Sequence, residues 1–279
     1  MSQALLSLVT ALGDDELILG HRHSEWTGFA PHIEEDVAFS SIAQDEIGHA
    51  AAYYAIAESI TGDSPDKLAL GREPEQYRNA ILCERPNREW SYTLARHWLY
   101  DTADDIRLES LENSSHAGLR SLVTKLRREE RYHLIHAEAW LTRIARGPVE
   151  ARSRIIDALT QAFREADGLF EAFEAEPEAL SEGLLSQPSS DLQKKWHQRA
   201  AERLDELGLP TEISSRRDES AEFLASSSGD LIAKDDSESD DSPIAPTGTG
   251  GRRGQHSEEF NELWDVMTTT YRHHVGASW

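Results

Sequence analysis

Two short stretches carry the residues best suited to chemistry: Asp45-Glu46-Ile47-Gly48-His49 and Glu129-Glu130-Arg131-Tyr132-His133. Each sets a Glu and a His three residues apart, so that both share one face of a helix and can grip one metal ion. A lone match is weak, because an acidic chain with twelve His holds roughly one Glu-x-x-His by chance. The surroundings add to it. Glu16 lies 30 residues before Glu46, and Asp101 lies 29 before Glu130. Two helical hairpins of nearly equal span would each bring a lone carboxylate level with a Glu-x-x-His. Four carboxylates and two His in that layout suit two iron or manganese ions held inside a four-helix bundle. A structural zinc site would ask for Cys and His in tetrahedral sets, which are absent.

A metal-bound His usually donates its other ring N–H to a carboxylate. Asp45 and Glu129 each precede a motif Glu. In an antiparallel bundle, Asp45 is placed to orient His133 and Glu129 to orient His49. Both also read as ordinary surface charge in an acidic chain. Glu16 has a plain reading too, at the edge of its stripe with its carboxylate in water. Glu46 with His49 could equally be a buried hydrogen-bonded pair. The fourth carboxylate is open between Asp101 and its neighbours Asp104 and Asp105, with Asp101 preferred on spacing.

The elements that must position these residues are helices. Val9, Leu12, Glu16, Leu19, His23 and Trp26 form one stripe of helical period between Ser2 and Trp26. A second helix, about 31–60, carries Phe39, Ile42, Glu46, His49, Tyr53 and Ile56 on one face. A connection of about 61–86, rich in turn residues, is long enough to cross a bundle. A third helix runs to about Ser114 with Asn87 as its expected cap, and a fourth ends near Ala145 before Gly147-Pro148. Further helices are expected at about 148–173, 191–207 and 257–274. Neither strand-like alternation nor a Gly-rich phosphate loop supports a nucleotide-binding α/β fold.

The fold expected is therefore all-α, a four-helix bundle with added C-terminal helices. Residues 1–208 form the bundle and its appendages, 209–256 an acidic and disordered insert, and 257–279 a last helix packed on the bundle or a partner. Within the insert, Gly250-Gly251-Arg252-Arg253-Gly254 is a basic spot. It either contacts a phosphate or a partner carboxylate, or is a solvated turn.

The balance of 28 Lys and Arg against 51 Asp and Glu gives a formal charge of −23, which repels nucleic acid. Lys is confined to five positions, and so acidic and Lys-poor a surface suits a salt-rich cytosol. Cys83 stands alone, so no intrachain disulfide forms. No apolar run approaches a membrane span and no signal peptide is recognised, so a cytoplasmic protein is expected.

Several local sequences resemble one family. Leu12-Gly13-Asp14, Glu25-Trp26-x-Gly28-x-Ala30-Pro31, Arg131-Tyr132-His133 and Gly250-Gly251-x-x-Gly254-x-His256-x-Glu258 are similar to the C-type (PaaC) component of the phenylacetyl-CoA ring 1,2-epoxidase. The resemblance covers nearly the whole chain, apart from the acidic insert near 215–245. It implies a ferritin-like helical subunit that pairs with a related catalytic A-type subunit. That complex draws electrons from a flavin and iron–sulfur reductase to epoxidise the ring of phenylacetyl-CoA. In it the C-type component is usually a scaffold whose metal ligands are eroded. This chain departs from that pattern: Glu16, Glu46, His49, Asp101, Glu130 and His133 all keep side chains able to bind metal. A self-sufficient di-iron oxidoreductase is the next reading, and a ferroxidase or iron-storage protein the last.

Overall fold

The computed structural model describes residues 2–215, 248–274 and Ala277. The acidic centre of the expected insert, 234–242, lies outside the described residues. Among the described residues there are helices and turns and no strand.

Four long helices make two hairpins: α1 (Gln3–Ser24) with α2 (Ile33–Thr61), and α5 (Trp90–Leu111) with α6 (Ala117–Ala145). Their ends follow local chemistry. The Ser2 hydroxyl accepts from Leu5 N to start α1, whose last turn carries His21, Arg22 and His23. Glu34, Glu35 and Asp36 sit at the positive end of α2, which stops at Gly62 in the left-handed region. The crossover holds two short helices, α3 (Pro65–Leu70) and α4 (Ile81–Glu84). Asn87 does not cap α5, which begins at Trp90 after an extended Glu89. The Asn87 amide instead ties the end of α1, donating to Arg22 O and Glu25 Oε2. A cap must sit beside the first turn, and Asn87 falls too early.

The remaining helices are α7 (Val149–Ala166), α8 (Glu176–Ser181), α9 (Ser189–Glu206) and α10 (Glu258–His273). A 3₁₀ turn over Asp167–Phe170 follows α7, so the helix expected to reach 173 ends earlier. These added elements cover α1 and α5. Trp196 of α9 is fully buried, packs against Phe163 and Phe170, and donates from its indole to Leu99 O on α5. In consequence α1 and α5 are buried nearly all round, whereas α2 and α6 each bury one face. A helix buried on every side cannot be read from a single apolar stripe, because its polar residues must be paired instead of exposed.

Three consecutive acids of α1 show how. Asp14 accepts from the Tyr54 hydroxyl, the Arg72 guanidinium and Arg78 N. Asp15 accepts from Arg107 Nη1 at 2.7 Å, from Ala80 N at 2.7 Å, and from both terminal nitrogens of Arg252 at 2.9 and 2.7 Å. Glu16 alone of the three has no Arg beside it.

Arg252 thus has a role that the sequence did not announce. It is 6% exposed and is neither a solvated turn nor a free basic spot. Besides Asp15 it donates to the carbonyls of Ala11, Arg78 and Leu169. Arg253 faces outward and pairs with Glu171. The described ends of the 209–256 stretch pack on the bundle: Ile213 is buried, and Gly251 lies hard against the backbone at Asn79. A Cβ on Gly251 would stand 2.1 Å from Asn79 O, which is backbone and cannot rotate aside. Gly251→Ala should therefore lower stability by about 1–3 kcal/mol through overpacking, seen as a lower urea midpoint with an unchanged slope.

Candidate metal centre

Glu16 reaches the centre of the bundle from α1, Glu46 and His49 from α2, Asp101 from α5, and Glu130 and His133 from α6. All six are buried. The three-residue spacing in α2 and α6 turns each Glu and His to the same side, and the hairpins set the lone acids opposite.

Glu16, His49 and Glu130 bring one ligand atom each within 4.8 Å of one another. His49 Nδ1 lies 2.9 Å from Glu130 Oε1 and 3.3 Å from Glu16 Oε2. The other oxygen of Glu16 accepts from the Tyr100 hydroxyl at 2.8 Å. His133 Nδ1 lies 3.4 Å from Glu130 Oε2, and the two imidazoles stack with centroids 6.1 Å apart. Both rings turn Nδ1 inward and Nε2 outward. On the outer side, Glu129 Oε2 lies 3.0 Å from His49 Nε2, and Asp45 Oδ2 lies 3.3 Å from His133 Nε2.

Glu46 and Asp101 stand apart from this group of four. Glu46 Oε2 is 3.0 Å from His23 Nδ1, and Asp101 Oδ2 is 3.1 Å from His97 Nδ1. Asp104 binds Arg107, and Asp105 is half-buried against Arg199 and Arg127. Of the three aspartates on α5, Asp101 is the buried one that pairs with no Arg. Sequence reasoning missed His23 and His97 as neighbours of the site. His23 belongs to the first stripe, and His97 stands one turn before Asp101, so spacing alone could have raised both. His97 continues outward through His136 at 3.2 Å to Glu35, 2.8 Å further on.

Electrostatics divide the cluster. Burial disfavours protonation of His49, but its hydrogen bonds to Glu130 and Glu16 outweigh that and push the imidazole up to about 11. Burial likewise opposes protonation of His133, and Glu130 with Asp45 raises it to about 12. Glu130 is buried too, yet the two imidazoles hold it well below the usual carboxylate range. Glu46 and Asp101 go the other way. Burial raises both, reinforced by Glu16 for Glu46 and by Glu130 for Asp101.

Glu16, His49 and Glu130 are close enough together to hold a cation, with further buried donors beside them. Glu46 Oε1, both oxygens of Asp101, and His133 Nδ1 are buried and lack a well-formed hydrogen bond. Unpaired polar atoms are costly at such depth, and a cation among them removes that cost. Two of the donors are imidazoles already held from behind by carboxylates, the usual support for a histidine ligand. Such a donor set suits iron or manganese.

Comparison with known proteins agrees with this architecture. Residues 1–223 match the family model described as "Phenylacetic acid catabolic protein". The chain is also 27% identical over 278 residues to a protein of Escherichia coli (strain K12) named as the C component of 1,2-phenylacetyl-CoA epoxidase, with 99% of each chain covered. A buried four-helix centre, the added helices around it, and a family match reaching from the first residue through α9 lead to one assignment: the chain belongs to the phenylacetic acid catabolic protein family.

Proposed function

We propose that this chain is the C-type component of a 1,2-phenylacetyl-CoA epoxidase in the cytoplasm, supporting a related ferritin-like catalytic subunit of A type, and that it holds a metal pair of its own. The relative's name and its coverage from end to end support the first part. The observation that carries the second is the pair of buried histidines, each fixed from behind by a carboxylate and turned toward buried carboxylates. Glu16, Glu46, His49, Asp101, Glu130 and His133 are the ligands, with Asp45 and Glu129 orienting His133 and His49. Two iron or manganese ions there would supply redox chemistry toward oxygen. The protein's own part is to set the two imidazoles by their outer hydrogen bonds and keep water out with the buried rings of Tyr53 and Tyr100, the latter bonded to Glu16. A self-sufficient oxidoreductase or a storage protein draws no support from the full-length match.

Reconstitution tests the assignment. The A-type subunit and the flavin and iron–sulfur reductase, given a reductant, oxygen and phenylacetyl-CoA, should form the ring epoxide only when this chain is added. Equal product without the chain would refute the subunit assignment. Product from this chain and the reductase alone would establish the self-sufficient reading instead.

A further inference from the structure

A line of nitrogen and oxygen donors leads from Asp101 out to the first turn of α2, and neither holding the metal nor orienting its ligands employs it. His97 Nδ1 lies 3.1 Å from Asp101 Oδ2, and His97 Nε2 lies 3.2 Å from His136 Nδ1. His136 Nε2 then lies 2.8 Å from Glu35 Oε2. Each imidazole thus offers one nitrogen inward and one outward. Exposure follows the same order. The side chains of Asp101 and His97 are closed to solvent, at 1% and 0%, whereas those of His136 and Glu35 are 20% and 13% exposed. The members come from α5, α6 and α2, so the fold makes the line and no local turn does.

Around the line stand aromatic rings. Between centroids, Phe39 is 5.4 Å from His97 and 5.6 Å from His136, and Trp90 is 4.9 Å from Phe39. A cation stripped of water cannot cross such a wall without donors to replace that water. Two ligands about 2.1 Å from one ion and about 90–110° apart stand about 3.0–3.4 Å from each other. The three successive donor pairs, at 2.8, 3.2 and 3.1 Å, come close to that spacing. Each gap is therefore a station where two donors can share an ion. His136 is the partly exposed ring of the two, so it is the one with room to turn and pass the ion on. At the inner end, both oxygens of Asp101 and Nδ1 of His97 are buried and lack a well-formed hydrogen bond, so they are ready to receive a cation.

At the outer end, α2 begins with Glu34, Glu35 and Asp36. A helix start carries roughly half a positive charge, which three carboxylates outweigh. A cluster of one sign raises the local concentration of the opposite ion. His49 and His133 are also backed by carboxylates, but they are end ligands, and passage there would undo the hydrogen bonds that orient them. His97 and His136 hold no final ligand role and can release what they carry.

We propose that Glu35, His136 and His97 form the entry route by which a divalent cation reaches the bundle centre, with Asp101 taking the ion from His97 and turning inward with it. The inference rests on the metal reading above and adds how that site is filled.

The test mixes the full metal-free chain with Co(II), whose visible absorption rises as imidazole and carboxylate replace water, and reads the loading rate apart from the final content. Glu35→Gln and His136→Leu should each slow loading by about tenfold or more. Both should keep the wild-type number of ions per chain and the wild-type helical circular dichroism. Glu35→Asp, which keeps the charge, should restore most of the rate. Glu58→Gln removes an exposed acid at the far end of α2 and should load as wild type does. Loading within about twofold of wild type in both Glu35→Gln and His136→Leu would overturn the route while the metal site stands. A lower final content in these variants would make the two residues part of the bound site and overturn it as well. If wild type takes up no Co(II), the metal reading falls and the route with it.

Discussion

Replacing both His49 and His133 by alanine should take the iron or manganese content, after loading and removal of loose metal, from about two ions per chain to near none. Each imidazole is a nitrogen donor already oriented by Glu129 or Asp45, and each turns Nδ1 toward Glu130. The change also removes the cationic partners of two buried acids. Glu130 sits between both rings, and Glu16 faces His49. Breaking buried pairs of this kind costs about 3–5 kcal/mol, so the double variant should also unfold at lower urea before any metal is added. The two readouts separate the roles. Lower stability with full metal content would leave the histidines as structural ion pairs only.

The second large effect concerns Arg252. Its fork on Asp15 is buried, and three carbonyls from separate parts of the chain share its N–H groups. Arg252→Ala should cost about 3–5 kcal/mol, toward the lower figure because Arg107 still faces Asp15. Lysine should recover only part, since an ammonium cannot reproduce the bidentate fork. Acid sensitivity supplies a second check. Burial raises Asp15, but Arg252 and Arg107 outweigh it and hold the carboxyl below its ordinary value. A depressed folded pKa gives stability that is present above the unfolded value and lost as pH falls through the folded one. Wild type should therefore lose this contribution as pH falls below about 4, whereas Arg252→Ala, with Asp15 less depressed, should have less to lose and show a flatter decline over the same range. Urea midpoints across an acid series decide it; parallel curves for the two proteins would contradict the assignment.

Arg252 also marks where sequence reading stops. The spacing of Glu16 to Glu46 and of Asp101 to Glu130 is a property of single hairpins, so it can be read along the chain. The relation of Asp45 to His133 needs only that α2 and α6 run antiparallel. The salt bridge of Arg252 with Asp15 joins residues 237 apart, and no local period announces it. The same holds for the all-round burial of α1. Asp14 and Asp15 lie beside the apolar stripe, and nothing local announces that Arg72, Arg107 and Arg252 meet them from elsewhere in the chain. His23 and His97 were legible in principle, each one helical turn or one stripe position from a named residue. Their neighbours, Glu46 and Asp101, belong to the same cluster but turn toward them in the structure.

The most direct measurement is a crystal structure of the iron-loaded chain with anomalous data collected on both sides of the iron edge. Two anomalous peaks are expected in the bundle centre, ligated by Glu16, Glu46, His49, Asp101, Glu130 and His133, with Glu46 and Asp101 turned away from His23 and His97. Absence of any peak there, with His49 and His133 still paired to Glu16 and Glu130, would contradict the metal site.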